Sequence, residues 1–382
     1  MQKPKLIRIT TVPISLEKLL EGQLGFMSQH YEVVAISAEK ERLAAYGKQE
    51  GVRIFHVPLT RKITPLRDLR AVYKLYRFLT KEKPLIVHSH TPKAGIVGML
   101  AAYLSGVPNR FHTVAGLPLM EARGVKRFLL NGVEKLTYRL ATMVYPNSKG
   151  LYDFIVSERF TAPSKLKIIA NGSSNGIDTH FFSEAHFSEA QHKAKKLELG
   201  IHEGDFVFIF VGRVVKDKGI NELISAFRCL NKKHPNSKLV LVGPLENDLD
   251  PISKDATREI DTNPNIINTG FQQDVRPYFA ISNALVFPSY REGFPNVVLQ
   301  AGSMGLPGLV SDINGCNEII EDRKNGLIFP PKNEERLLAS MELLVSDKGL
   351  CEQLGSVARE MITSQFERSE VWNALLEEYP GS

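Results

Sequence analysis

Short apolar, β-branched runs alternate with helix-period stretches along the whole chain, and this alternation most constrains its fold. Strands separated by whole helices pair in parallel, because a parallel crossover needs roughly a dozen residues and a hairpin does not. In the first half the strand-like runs are Leu6–Thr11, Glu32–Ser37, Val52–Val57, Leu85–His88, Arg110–Val114, Met143–Tyr145 and Lys167–Ala170. Helical patterns fit between them, among them Leu16–Gln29, Leu66–Lys81, Lys93–Leu104 and Lys126–Leu140. Asn171-Gly172-Ser173-Ser174-Asn175-Gly176 then breaks the pattern with turn formers, as a hinge would. The alternation restarts with Phe206–Val211, Lys238–Val242, Ile266–Thr269, Ala284–Phe287, Gly308–Val310 and Leu327–Phe329, with helices such as Ile220–Asn231 and Val297–Met304 between; helices fill Glu334 to Tyr379. The expected class is α/β, with two doubly wound, Rossmann-like domains at 1–172 and 173–364. A terminal helix, 365–382, packs back on the first domain. Ligands of such sheets sit at the carboxyl ends of the strands, here in a cleft where the two sets face each other. A length of 382 residues suits two domains of this kind.

Three cysteines, Cys229, Cys316 and Cys351, lie far apart, which excludes a disulfide framework and a zinc site of paired cysteines. The start, Met1-Gln2-Lys3-Pro4-Lys5, leads into a strand without a signal-peptide core, and the longest apolar stretch, Ala94 to Leu104, is too short to span a bilayer. The chain is therefore expected to be cytoplasmic. Charge is divided unevenly. Residues 1–170 hold 27 Lys+Arg against 12 Asp+Glu, net +15, whereas residues 171–382 hold 21 against 30, net −9. Such an asymmetry points the first half at something anionic, either nucleic acid or an acidic membrane surface.

Two segments carry chemistry. In Val211-Gly212-Arg213-Val214-Val215-Lys216-Asp217-Lys218-Gly219 a buried strand ends and a helix begins, a place where backbone N–H groups and the helix dipole favour an anion. Arg213 offers a planar fork and Lys218 a mobile point charge, so the pair can neutralise a diphosphate. Taken alone, the segment is equally an ordinary βα loop with two surface charges. In Phe287-Pro288-Ser289-Tyr290-Arg291-Glu292-Gly293-Phe294-Pro295-Asn296, Gly293 permits close backbone approach, Pro295 stiffens the turn, and the following helix start supplies a second nest of N–H groups. Glu292 is an acceptor for sugar hydroxyls, although an exposed loop acid is the commonest fate of a glutamate.

Together the segments resemble the retaining glycosyltransferases of glycosyltransferase family 4, which have the GT-B architecture of two Rossmann-like domains. The likeness covers nearly the whole chain. It rests on Gly212-Arg213 with Lys218-Gly219, on Pro288-Ser289 with Arg291-Glu292-Gly293-Phe294-Pro295-Asn296, on Asp312-Ile313-Asn314-Gly315-Cys316-Asn317-Glu318-Ile319-Ile320, and on Asn325-Gly326-Leu327. In the first half it rests on His88-Ser89-His90-Thr91-Pro92-Lys93-Ala94-Gly95 and Thr113-Val114-Ala115-Gly116-Leu117-Pro118. The resemblance implies that Arg213 and Lys218 bind the donor diphosphate and stabilise the charge built up as the sugar leaves. Glu292 would then contact donor-sugar hydroxyls. Gly212, Ser289, Gly293, Phe294, Pro295 and Asn296 would line the donor site, Gly270 and Phe271 would border the base, and Gln300 would meet the ribose. The second domain would hold the nucleotide and the first the acceptor.

The sequence departs from the family in three places. The second of the family's paired glutamates is Gln300, neutral and able to donate as well as accept. Ala115 stands where many relatives carry a histidine beside the reacting sugar; His112, three residues earlier, is the candidate in its place, although strand alternation turns it to the opposite face. The glycine pair common after the first strand is replaced by Thr11-Val12-Pro13-Ile14-Ser15-Leu16. No Asp-rich motif lies near the diphosphate site, so the expected enzyme uses no metal and no cofactor, protein cations serving instead. The expected path is front-face attack with retention, the departing phosphate oxygen taking the acceptor proton.

The membrane is the expected partner of the basic half. In Pro65–Lys81, Leu66, Leu69, Tyr73, Tyr76 and Leu79 recur at helical spacing, with Arg67, Arg70, Lys74 and Arg77 largely off that stripe; Arg123, Lys126, Arg127, Lys135 and Arg139 mark a second helix. This pattern fits peripheral contact with anionic lipid on the inner face of the cytoplasmic membrane and a polyprenyl-diphosphate-linked saccharide acceptor. It equally fits a core helix with a charged outer face. Relatives closest in texture act in bacterial capsule and O-antigen assembly and favour UDP-hexose or UDP-N-acetylhexosamine donors. Three rivals are distinguishable. A GT-B epimerase or phosphorylase would yield an isomerised sugar nucleotide or a sugar phosphate. A binding subunit of a glycan-assembly complex would not turn over. A nucleic-acid-binding role would leave the second-domain motifs without purpose, so no nucleic-acid partner is expected.

Overall fold

The computed structural model describes residues 3–246 and 250–381. The chain divides into two compact units, one formed by 1–176 with 368–382 and the other by 177–367. The first holds a six-stranded parallel sheet in the order β3-β2-β1-β4-β5-β6, from β1 (Lys5–Ile9), β2 (Glu32–Ser37), β3 (Arg53–His56), β4 (Ile86–His90), β5 (Asn109–Val114) and β6 (Met143–Pro146). The second repeats the plan in the order β12-β11-β10-β7-β8-β9, from β7 (Phe206–Val211), β8 (Ser237–Val242), β9 (Ile266–Gly270), β10 (Ala284–Phe287), β11 (Gly308–Ser311) and β12 (Gly326–Phe329). Both doubly wound domains read from the sequence are present.

β7 reads Phe-Val-Phe-Ile-Phe-Val and is buried along nearly its whole length, the pattern of a central parallel strand covered by helices on both faces. In each sheet the chain runs outward to one edge, then returns to lay its next strand beside the first. The points of return, β1 beside β4 and β7 beside β10, are where such sheets open a crevice at the strand carboxyl ends.

Two expectations are corrected. Lys167–Ala170 is not a seventh strand; Leu166 makes one isolated bridge to Val144, and the chain turns away through Ala170, Gly172, Ser173 and Gly176, all at positive φ. The helix expected over Leu16–Gln29 is two short ones, Pro13–Leu19 and Gln23–Met27, separated at Gly22 in the left-handed conformation.

The first unit contains a buried charge that no pattern announced. Arg8 on β1 is fully buried, and among the described residues no carboxylate pairs with it. Its guanidinium donates to the Tyr379 hydroxyl at 2.5 Å and to the Gln23 side-chain carbonyl. The Tyr379 hydroxyl lies 2.5 Å from Nδ1 of His88, whose Nε2 lies 2.7 Å from Thr113 Oγ1. Burial lowers the His88 pKa well below its ordinary value, so the ring is neutral, Nδ1 accepting from Tyr379 and Nε2–H donating to Thr113. The helix Arg368–Glu377 and Tyr379 are thus fastened into the first unit, with Trp372 Nε1 donating to Asn175 at 2.7 Å.

Candidate active site

The loops after β7 and β10 emerge side by side in the second unit because those strands are neighbours. The chain leaves β7 at Gly212, whose N–H donates to the Val242 carbonyl. Val214 and Val215 are buried and anchor the loop, which passes through a 3-10 turn, Lys216–Lys218, to Gly219 and the helix Ile220–Lys233. Gly219 has φ +70°, and a Cβ there would lie 2.1 Å from the Pro288 carbonyl oxygen. Only glycine lets the two loops approach this closely.

That approach brings Lys218 to Glu292. They form an ion pair, the side chains 18% and 17% exposed, and the buried Ser289 hydroxyl donates to the same Glu292 oxygen at 2.9 Å. The Lys218 ammonium also lies over the Phe287 ring, 5.6 Å from its centre. Further struts fix the loops. Tyr290 N–H donates to the Asp217 carbonyl at 2.9 Å, Arg291 pairs with Asp217 at 3.3 Å, and the Tyr290 hydroxyl donates to the Glu222 carboxylate at 2.6 and 2.8 Å. Burial, with the Glu222 carboxylate beside it, raises the Tyr290 pKa and keeps this hydroxyl a donor.

Arg213 stands apart from this cluster. Its side chain is 48% exposed and pairs with Glu246 at 2.5 Å, in the segment after β8. Gly293 and Phe294 are buried, Phe294 packing on Phe366 with ring centres 5.5 Å apart, and Pro295 caps the helix Asn296–Ser303, whose first turn presents N–H groups without intrahelical acceptors. Asn296 and Gln300 are half-buried on that helix. Gly270 ends β9 at φ +65° with open space where a Cβ would be, and Phe271 beside it is 72% exposed. The unit thus joins Lys218, Ser289 and Glu292 directly and leaves outside that contact Arg213, at the start of the Lys218 loop, and Gly270 and Phe271, at the end of β9.

His112 belongs to the first unit's core. It lies on β5, buried, with Nδ1 2.8 Å from the Ser89 hydroxyl, and its ring fills the space a Gly95 side chain would need. Burial lowers its pKa to about 4, so it is a neutral packing residue.

Three residues have a place in the site that the sequence analysis did not assign, two of them within the Asp312–Ile320 marker. Asn314 donates through Nδ2 to the carbonyls of Glu292, at 3.0 Å, and Gly293, at 2.8 Å, and so orients the Glu292 turn from the loop after β11. Gly315, at φ +76°, passes so close that a Cβ would lie 2.4 Å from the Gly293 carbonyl. The Asn-Gly pair is a turn signal that could have flagged this loop. Glu222 gave no signal, since an acid in a helix's first turn is ordinary. Among the described residues no three His, Cys, Asp or Glu side chains converge as a metal site requires.

Comparison with known proteins follows the division into units. Residues 24–172 match the model of the glycosyl transferase 4-like domain, and residues 191–361 that of glycosyl transferases group 1. The chain is 32% identical over 380 residues to the capsular polysaccharide biosynthesis glycosyltransferase CapM of Staphylococcus aureus, covering 98% of this chain and 96% of that one. It is 30% identical over 361 residues to the Escherichia coli UDP-Gal:alpha-D-GlcNAc-diphosphoundecaprenol alpha-1,3-galactosyltransferase, covering 90% and 89%. In fold it resembles Anabaena Alr3699/HepE, crystallised with UDP and glucose, with a TM-score of 0.83 at 17% identity over 98% of this chain and 99% of that one.

Proposed function

The chain belongs to the glycosyl transferases group 1 family and is a glycosyltransferase, and we propose that it moves a hexose or N-acetylhexosamine from a UDP donor to a lipid-linked saccharide in bacterial surface polysaccharide assembly. The observation that carries this reading is the Lys218–Glu292–Ser289 cluster, set between the loops of β7 and β10 where a doubly wound sheet takes its ligand. The Escherichia coli relative, by its name, uses UDP-Gal and a diphosphoundecaprenol-linked acceptor, and supports both choices.

In the proposed reaction Lys218 draws the donor diphosphate into the nest, and Arg213 swings from the exposed Glu246 pair to its other oxygens. Their charges stabilise the leaving group as the bond from the anomeric carbon to the diphosphate oxygen breaks. An acceptor hydroxyl attacks on that same face, its oxygen bonds to the anomeric carbon, and its proton passes to the departing oxygen, so configuration is retained. Glu292 accepts from sugar hydroxyls and fixes the ring's position. Protein cations do the work a divalent metal does elsewhere, so neither metal nor cofactor takes part. The acceptor's lipid sets the reaction at the cytoplasmic face of the membrane, with the protein peripheral; no helix among the described residues is long and apolar enough to cross a bilayer.

The test is transfer of radiolabel from a panel of UDP-sugars to a short-chain prenyl-diphosphate saccharide, with the anomeric coupling of the product read by NMR. Labelled lipid with retained configuration is the expected outcome. Release of free sugar phosphate or an epimerised nucleotide sugar, without transfer, would overturn it.

A further inference from the structure

The turn that presents Lys218 spends its own backbone donors. Lys218 N–H donates to the Val215 carbonyl at 3.3 Å and Gly219 N–H to the Lys216 carbonyl at 2.9 Å, closing the 3-10 turn. The first N–H groups of such a turn need acceptors from outside it. Val215, which precedes them, has no side-chain acceptor to offer. Asp250, in the segment after β8 and 33 residues beyond Asp217, serves both. Its carbonyl accepts from Lys216 N–H at 3.1 Å, and its carboxylate accepts from Asp217 N–H at 2.6 Å. A remote carboxylate thus caps the turn, which is usually done by the residue just before it.

The same segment follows the β7 loop from its start. Val214 N–H donates to the Pro244 carbonyl at 2.9 Å, Val214 and Leu245 form an isolated parallel bridge, and Arg213 pairs with Glu246. From Asp217 the tie runs on to the β10 loop, because the Asp217 carbonyl accepts from Tyr290 N–H and its carboxylate pairs with Arg291. With the N–H groups of 216 to 219 all engaged, this stretch offers an anion the Lys218 ammonium and no backbone donor. A long side chain meets a diphosphate only as well as the backbone beneath it is aimed.

We propose that Asp250 is a positioning residue for the donor diphosphate: by capping the 3-10 turn it fixes the place from which Lys218 reaches the ligand. This deepens the proposed function and rests on its assignment of Lys218 to the diphosphate. The charge of Asp250 works against an anion nearby, so its value to the site is geometric, through the Asp217 N–H that it holds. An ordinary loop acid that only adds stability would cost the same whether or not Lys218 is present. A residue that acts through Lys218 costs nothing once Lys218 is gone.

The experiment titrates UDP calorimetrically into the full-length wild type, Asp250→Ala, Asp250→Asn, Lys218→Ala, and the double variant of Asp250→Ala with Lys218→Ala. Asp250→Ala should weaken UDP binding about tenfold, the size of one hydrogen bond to a charged group. Asp250→Asn keeps an oxygen for the Asp217 N–H and removes a negative charge, so its affinity should stay within about threefold of wild type or improve. In the Lys218→Ala background, loss of Asp250 should cost less than about twofold. Should Asp250→Ala fail to fold, Asp250→Ser, one bond shorter in reach than the aspartate, takes its place in the cycle. Wild-type affinity in Asp250→Ala would overturn the proposal. So would an Asp250→Asn protein as damaged as Asp250→Ala, or losses that simply add in the double variant. A wild type that shows the expected cycle yet transfers no sugar would strike the proposed function and leave this inference standing; sugar transfer with a flat cycle would do the reverse.

Discussion

Lys218 and Glu292, 74 residues apart in sequence, neutralise one another across the gap between two loops of the same sheet. The pair is too enclosed to count as an ordinary surface salt bridge. A bare anion that took Lys218 would strand Glu292, and a neutral sugar that took Glu292 would strand Lys218. A sugar joined to a diphosphate satisfies both. Lys218→Ala should therefore lower kcat/KM about 100- to 1,000-fold. Arg213→Ala should lower kcat while changing the unfolding free energy by less than about 1 kcal/mol, its resting partner being exposed. Steady-state kinetics with calorimetry separates the two effects; near-normal turnover in Arg213→Ala would count against its role.

Tyr290 is a brace for that pair. Tyr290→Phe removes the hydroxyl held by Glu222 and frees the loop that carries Glu292. A loss of about 1 to 2 kcal/mol in stability is expected, the size of a hydrogen bond to a charged group, with a rise in the KM for donor. An unchanged KM would show that the loop holds its position without the brace.

Gly219→Ala tests the close approach of the two loops. The residue needs φ +70°, and its new methyl would collide with the Pro288 carbonyl. We expect a loss of roughly 2 kcal/mol or more and impaired nucleotide binding, read by chemical denaturation and by titration with UDP.

Glu134 is buried in the first unit, and burial raises its pKa to about 7. The native state therefore keeps the proton that the unfolded chain releases near its ordinary carboxyl pKa. Its contribution is fully present below that pKa and is lost as pH rises to about 7. Glu134→Gln should gain stability relative to wild type on going from pH 5 to pH 8. A constant difference across that range would sink the assignment.

Chelation checks the proposed use of protein cations. Transfer should survive EDTA without added metal if, as proposed, Lys218 and Arg213 supply the positive charge. A loss of activity restored by magnesium or manganese would overturn this part of the mechanism.

Much of the architecture was legible in the residues. Strands such as Phe206–Val211 announce themselves because a strand covered on both faces is apolar throughout. Lys167–Ala170 looked alike over four residues and formed no strand, since a strand needs a neighbour as well as a composition. At the site, Lys218, Ser289 and Glu292 could be named from their loops, but their contact depends on β10 returning beside β7, a tertiary fact. Arg8 lay outside any sequence argument, because arginine is almost never fully buried and its acceptors, Gln23 and Tyr379, come from remote segments. The helix Pro65–Glu82 shows the reverse failure. Periodicity merged Leu79 with Leu66, Leu69, Tyr73 and Tyr76, and only burial separates the residue facing inward from those facing solvent.

The Arg8 network also bears on how the protein is made. Its partner Tyr379 leaves the ribosome only after the whole of 177–367 has been synthesised. The half translated first must therefore wait, Arg8 and His88 without their phenol, while the half translated second, contiguous in sequence, closes without interruption. Vectorial synthesis thus reverses the order of completion, and the unfinished amino-terminal half is the stretch a nascent-chain chaperone has most reason to cover.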